Sequence, residues 1–116
     1  MNNITELDAA KALCKMLDTK FGQDIVLMDL RELTPIADFF VIATGGSAPQ
    51  LAALAEAAQD ILEANGLTIK HKEGISSANW LLLDFGAIVV HLFDKESREY
   101  YNLERTWGDA KLVTFL

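Results

Sequence analysis

The chain has 116 residues, 51% of them hydrophobic, which is enough for one domain with a core but too little for two. Its net charge of −7 repels a phosphate backbone and argues against an unassisted nucleic-acid binder. One cysteine excludes an internal disulfide, and we find neither a signal-peptide pattern nor the roughly 20-residue apolar run of a membrane span, so we expect a cytoplasmic protein.

The chain opens with an expected helix over Glu6–Thr19, because apolar residues recur there at helical spacing and Thr5 can cap the start. Cys14 falls on or beside the apolar stripe, which favours an inert buried thiol over a reactive one. Residues 24–30 and 38–44 then have strand composition. One helix followed by two strands is therefore predicted.

A second helix is predicted over residues 48–65, which are rich in Ala and Leu. Ser47 is its expected N-cap, and Gly66 stands where a helix commonly ends in a left-handed residue. The remaining elements are a weak strand at 67–72, a hairpin of residues 80–84 and 87–93 around Phe85-Gly86, and a helix from Asp94 toward Trp107. The predicted order is α-β-β-α-β-β-β-α in a single domain, with a short apolar tail at 109–116.

The strand that ends in Gly45-Gly46-Ser47 before a helix is the most tempting catalytic signal, because such loops can bind nucleotide phosphates. Nucleotidyl transfer also needs two or three carboxylates on adjacent strands to hold Mg²⁺. The next acids, Glu56 and Asp60, lie within the predicted helix. We therefore expect no enzyme and no cofactor, and keep a degenerate nucleotide-binding protein as the rival.

His71 and His91 are the chain's two histidines, and with one distant cysteine they do not make a zinc site. His91 is expected to point to the face opposite Val90 and Leu92, where it can hydrogen-bond or contact a partner. His71 belongs to a cationic group that a solvated edge strand also explains. No metal site is predicted.

The aromatic residues near the C-terminus leave two interpretations open. Trp80 can be a core residue or an interface anchor, since Trp, Tyr and Arg most often anchor protein contacts. Tyr100 and Tyr101 point about 100° apart on a helix, so one is expected to pack inward while the other is presented outward.

A series of motifs in the second half is specific: Ser77-Ala78-Asn79-Trp80, Leu83-Asp84-Phe85-Gly86, Val89-Val90-His91, and Arg98, Tyr101, Leu103-Glu104 and Trp107 on the last helix. The first half adds two further motifs, Gln23-Asp24-Ile25-Val26 and residues 38–45 followed by Ser47. Together they resemble the ribosomal silencing factor (Iojap-like) family over about residues 4–107. The chain departs from the family pattern at Gly46, where Asn is common, and at Ala87, where an acid often follows the turn glycine.

The resemblance implies a five-stranded mixed sheet flanked by helices, related in shape to the nucleotidyltransferases but without their catalytic acids. It also implies a translational repressor that binds ribosomal protein fourteen of the large subunit and sterically blocks small-subunit joining when nutrients are scarce. An acidic protein suits a basic ribosomal partner, because opposite potentials speed encounter. Carried over by position, the expected partner-binding residues are Trp80, Leu82, Asp84, Lys72, His91, Tyr101 and Glu104.

Two further expectations concern geometry and assembly. Leu82 shares strand parity with Trp80 and Asp84, so all three are expected on one face of the sheet. The apolar tail, with Leu112, Val113, Phe115 and Leu116, either folds back on the domain or meets a neighbour, and a homodimer compatible with ribosome binding is the third hypothesis.

Overall fold

The structure, a computed structural model, describes residues 5–74 and 79–115. The elements follow the order α1 (Glu6–Thr19), β1 (Gln23–Asp29), β2 (Phe39–Thr44), α2 (Ala48–Ala64), β3 (His71–Glu73), β4 (Trp80–Asp84), β5 (Ile88–Phe93), α3 (Lys95–Tyr101), α4 (Leu103–Thr106) and β6 (Lys111–Leu112). The described strands form one sheet in the order β3-β4-β5-β2-β1-β6. Strands β2 and β5 are parallel, whereas their described neighbours pair antiparallel, so the predicted mixed α/β fold is confirmed.

Both long helices start at the predicted caps. The Thr5 hydroxyl accepts the Asp8 backbone N–H at 3.1 Å, and the Ser47 hydroxyl accepts that of Gln50 at 3.2 Å. Each bond satisfies one of the amides that a helix start leaves unpaired. Gly66 follows α2 with a φ of 89°, the left-handed conformation expected of a residue that ends a helix.

The sheet separates two hydrophobic layers because successive strand residues point to opposite faces. The first face packs against α1 and α2 through residues that include Leu27, Phe39, Val41, Leu83, Val90 and Leu92. The second face carries Met28, Phe40, Ile42, Val89 and Phe93, and is partly covered by Leu103, Trp107 and Ala110. Every residue of β2 and β5 is buried, so these two strands form the centre of the molecule.

The strand count of five was wrong, because the tail adds a sixth strand. Lys111 pairs with Asp29 and Leu112 with Met28, at the outer edge of β1. Beyond this pair, Val113 and Phe115 pack against the first hydrophobic layer. The tail therefore crosses the sheet edge and folds back on its own domain, as one of the two open expectations had it.

Two other elements differ from the prediction. The strand expected at 67–72 occupies His71–Glu73, because Leu67 and Ile69 pack against the first layer outside any regular strand. The last helix is broken into α3 and α4 at Asn102, which has φ 46° and ψ 59°. A side chain in this left-handed conformation interrupts an α-helix, and Asn tolerates it better than most residues.

No helix in the described ranges is long and apolar enough to cross a membrane. Ser77 and Ala78, which begin the motif before Trp80, lie outside the described residues, as does Leu116 of the tail.

Candidate protein-binding surface

Three of the expected partner-binding residues lie together on β4. Trp80, Leu82 and Asp84 pair with Phe93, His91 and Val89 of β5, and all three are half-buried on the second face of the sheet. The expectation that they share one face is confirmed. Each of the three side chains is therefore partly packed against the domain and partly accessible to a partner.

Trp80 packs within the domain and also remains partly exposed. Its ring lies 5.0 Å from that of Phe93 and 4.6 Å from that of Tyr101, centroid to centroid. Its indole Nε1 donates a hydrogen bond of 3.1 Å to His91 Nδ1. The core interpretation is thus partly right, because one edge of the indole is held inside, while the half-buried residue leaves the interface interpretation as a prediction.

His91 points to the second face as expected, but it lies beneath the surface and is not available for direct contact. Only 4% of the residue is exposed, and its ring lies 4.6 Å from that of Phe40. Burial lowers the pKa of His91 to about 4, partly opposed by the negative charge of Asp84. The imidazole is therefore neutral near pH 7, and because Nδ1 accepts from Trp80, the proton resides on Nε2.

Lys72 lies on the wrong face for a contact beside Trp80. It pairs with Leu83, whose side chain belongs to the first layer, and its Nζ donates to Gln59 Oε1 of α2 at 3.2 Å. A long side chain on the face that packs against α2 cannot extend the surface around Trp80. This orientation follows from the pairing of β3 with β4, which the weak sequence alternation did not reveal.

His71 and Glu73, rather than Lys72, lie on the second face of the sheet. They pair with Asp84 and Leu82, and their side chains are joined by a 2.9 Å contact between His71 Nε2 and Glu73 Oε1. Both are exposed. Side chains alternate between the two faces of a strand, so one known pairing partner places His71 and Glu73 on the same face. A three-residue strand does not reveal that partner in its sequence.

Tyr101 and its neighbour Tyr100 extend the aromatic surface from Trp80. Tyr101 packs on Trp80 while 46% of it stays exposed, and Tyr100 is 80% exposed. The two tyrosine rings meet edge to face at 5.1 Å. The expected division of roles is therefore visible, with Tyr101 packed and Tyr100 presented, although Tyr100 was absent from the expected contact set.

Glu104 is held in an internal ion pair. Its two carboxylate oxygens accept from Arg98 Nε at 3.0 Å and Nη2 at 3.1 Å, while Arg98 Nη1 donates to Thr44 Oγ1 at 2.9 Å. These side chains line one wall of an open cleft of about 470 Å³ that also includes Asp24, Lys95 and Glu99. The carboxylate of Glu104 thus positions α3 and α4 against β2, and its side chain remains 38% exposed.

The Gly45-Gly46-Ser47 loop uses its two glycine amides internally. Gly46 N–H donates to Gln50 Oε1 at 2.6 Å, and Gly45 N–H donates to the Phe93 carbonyl at 2.9 Å. A side-chain amide therefore occupies the donor that a phosphate would need. Gly45 is also packed tightly, since a Cβ there would lie 2.7 Å from Leu51 Cδ2.

The structure also bears on two other candidate sites, a reactive cysteine and a metal site. Cys14 is buried in α1 as expected, and burial raises the pKa of its thiol to about 12, which favours the inert interpretation. Within residues 5–74 and 79–115, no group of three or more His, Cys, Asp or Glu side chains is arranged to hold a metal ion.

Comparison with known proteins relates this architecture to one family. The family model described as ribosomal silencing factor during starvation matches residues 3–115. The ribosomal silencing factor RsfS of Bacillus subtilis is 42% identical over 113 residues, covering 97% of this chain and 93% of that protein. The chloroplastic protein Iojap of Arabidopsis thaliana is 37% identical over 96 residues, covering 83% of this chain and 40% of that protein.

Solved structures agree with the sequence relatives. A crystal structure of a Chromobacterium violaceum protein has a TM-score of 0.83 and 35% identity, covering 88% of this chain and 85% of that one. A Bacillus halodurans protein has a TM-score of 0.75 and 34% identity, covering 94% of this chain and 96% of that one. With a family model spanning nearly the whole sequence and a relative at 42% identity, the chain belongs to the ribosomal silencing factor family.

Proposed function

We propose that this protein represses translation in the cytoplasm by binding the large ribosomal subunit through its ribosomal protein fourteen. Bound there, on the face that meets the small subunit, it prevents subunit joining by steric blockade when nutrients are limited. No reaction is catalysed and no cofactor is needed. The proposal rests on membership of the family together with an aromatic surface suited to protein contact.

The observation that carries the proposal is the partly exposed pair of Trp80 and Tyr101 on the second face. Their rings lie 4.6 Å apart, and both are attached to rigid elements, β4 and α3. Aromatic anchors that are already ordered lose little side-chain entropy on binding, which is why Trp and Tyr dominate the energetics of many interfaces. Leu82 and Asp84 continue the same row along β4.

Charge supports a basic partner. The chain carries a net charge of −7, and Asp84 and Glu73 lie on the face that presents Trp80. Opposite potentials raise the association rate more than they raise affinity, and salt screens them over about 8 Å at physiological ionic strength. We therefore expect binding that becomes slower, but is not abolished, as salt is added.

The test is sucrose-gradient sedimentation of purified ribosomal subunits mixed after addition of the protein, with each fraction blotted. We expect wild-type protein to migrate with free large subunits and to reduce the joined-ribosome peak. Trp80→Ala should lose both effects, whereas Ile36→Ala should retain them, because Ile36 is 71% exposed on the loop at the opposite end of the strands. Absence of wild-type protein from the large-subunit fractions, with full subunit joining, would contradict the proposal.

The rival function is nucleotide binding at the loop that joins β2 to α2. It is favoured by the cleft of about 470 Å³ that Thr44 and Lys95 line at the carboxyl ends of the two parallel strands. The internal use of the Gly46 amide weighs against it. A thermal shift with ATP or GTP and Mg²⁺ distinguishes the two, since a bound nucleotide stabilises the folded state by mass action.

A homodimer through the tail is compatible with the proposed function. Leu112 is 70% exposed on the edge strand β6, although Val113 and Phe115 already pack within the domain. Sedimentation equilibrium of wild-type protein and of Leu112→Lys tests it, because a charge on an edge strand disfavours pairing between copies.

A further inference from the structure

A hydrogen bond joins the proposed contact residue Trp80 to a histidine that lies too deep to touch a partner. Trp80 Nε1 donates to His91 Nδ1 at 3.1 Å, and His91 is 4% exposed. We propose that His91 is a positioning residue, which fixes the orientation of the Trp80 indole so that its outer edge is presented to the ribosomal partner. This inference rests on the proposed function and assigns His91 a role different from direct contact.

Ring packing by itself does not define the orientation of the indole. Phe93 and Tyr101 lie against Trp80 at centroid distances of 5.0 Å and 4.6 Å and are 6.0 Å from each other, so the three rings form one cluster that limits where the indole can lie. The χ2 torsion of an aromatic side chain is broad and roughly two-fold, so ring contacts of this kind are compatible with either orientation of the indole. The bond to His91 selects the orientation in which the N–H edge points inward.

The neighbours of His91 explain why it can serve as a fixed acceptor. It lies in the buried central strand β5, where Ile42 and Leu82 flank it on the two adjacent strands. Its ring contacts that of Phe40 at 4.6 Å. Because these neighbours are apolar, the imidazole stays neutral, and Nδ1 keeps the lone pair that the indole N–H requires. Asp84 is the charged group that acts on it from β4.

Stability does not account for a histidine at this position. With Nδ1 accepting, Nε2 carries the proton, and this buried atom has no hydrogen-bond partner among residues 5–74 and 79–115. An unsatisfied buried donor is unfavourable, and an aliphatic side chain like those of Ile42 and Leu82 would remove that cost. The gain that offsets it is the defined orientation of Trp80.

The test compares two substitutions that differ in one property. In His91→Asn the amide oxygen can take the place of Nδ1 and accept from the indole, whereas His91→Leu fills similar space without an acceptor. The first measurement is the indole N–H resonance of Trp80 by NMR, assigned with Trp107→Phe because the chain has two tryptophans. A hydrogen-bonded N–H resonates downfield, and a ring in two orientations gives a broadened or doubled signal.

We expect His91→Leu to shift and broaden the Trp80 resonance and to weaken binding to purified large subunits by about tenfold, the equivalent of one hydrogen bond. His91→Asn should retain a single downfield resonance and bind within about threefold of wild type. Val41→Ala, a buried substitution on the first face, serves as the control for a general loss of stability.

Either of two results would overturn the inference. The first is that His91→Leu leaves the Trp80 resonance or the binding unchanged. The second is that His91→Leu loses binding, His91→Asn loses it as well despite its acceptor, and Val41→Ala shows the same loss. Failure of the proposed function looks different, since wild-type protein would then not bind large subunits at all. The NMR comparison would still show whether His91 fixes the indole.

Discussion

Arg98 on α3 reaches across the second face of the sheet to Thr44 at the end of β2, donating a 2.9 Å hydrogen bond from Nη1 to Oγ1. The same guanidinium holds both oxygens of Glu104. The side chain of Arg98 is 10% exposed, so these bonds are largely shielded from water. One arginine thereby fixes α3, which carries Tyr101, and α4 against the central strand.

Removing this arginine should destabilise the fold. Arg98→Ala leaves the Thr44 hydroxyl and the half-buried Glu104 without their partner, and we expect a loss of about 2–3 kcal/mol in the free energy of unfolding by urea titration. Glu32→Ala is the control, because Glu32 pairs with Lys111 and the two side chains are 76% and 73% exposed. Exposed pairs contribute little, so this variant should melt close to wild type. Equal midpoints for the two variants would contradict the assignment.

The buried His91 should make stability depend on pH. Its pKa is lowered from 6.5 to about 4 on folding, so between these values the unfolded chain binds the proton and the folded one does not. Stability therefore falls as pH decreases from 6.5 to 4, by about 3 kcal/mol for a shift of this size. Comparing urea unfolding of wild type and His91→Leu at pH 7 and pH 4.5 isolates this contribution.

The control for the pH experiment is His71→Leu, because His71 is exposed on β3. This variant should keep the wild-type difference between the two pH values, whereas His91→Leu should reduce it. If both histidine variants follow the wild-type pH curve, His91 is not buried as the structure describes.

The tail should stabilise the fold through the pairing of β6 with β1 and the packing of its apolar side chains. Deleting residues 111–116 removes the pairing of Lys111 and Leu112 with β1 and the packing of Val113 and Phe115. Losing these two partly buried side chains should cost about 2–4 kcal/mol and expose the edge of β1 to other chains. Thermal melting and light scattering measure the two effects. Leu112→Lys alone should be near neutral, and a deletion as stable as wild type would show that the tail does not pack.

Substitutions on the two faces of β3 should affect the rate of binding to large subunits differently. Glu73→Gln removes a negative charge from the face that carries Trp80, and we expect its association rate with large subunits to fall by about two- to threefold at low salt. Lys72→Gln alters the other face, where Lys72 bonds to Gln59, and should bind at least as fast as wild type. Stopped-flow mixing at two salt concentrations measures both. A severe loss in Lys72→Gln would return Lys72 to the contact surface.

Much of the fold was predictable because its signals are local. The Thr5 and Ser47 caps, the apolar stripe of α1 and the left-handed Gly66 each act within a few residues, and the structure has them where the sequence indicated. The alternation of side chains along a strand likewise placed Trp80, Leu82 and Asp84 on one face, because this alternation does not depend on the neighbouring strands.

The remaining features depend on residues far apart in the chain. Strand β6 exists because β1 offers it an unpaired edge, and Asn102 breaks the last helix where α3 and α4 bend over the second face. The face on which Lys72 lies is set by pairing with β4, not by the three residues of β3.

The candidate site shows the same division between sequence and tertiary structure. Residue types determined that Trp80, Tyr101 and an acidic surround were suited to protein contact, since aromatic character and charge belong to the side chains themselves. Only the packed sheet decided that His91 lies under Trp80 as its hydrogen-bond acceptor, because burial arises from strands and rings brought together from distant parts of the chain.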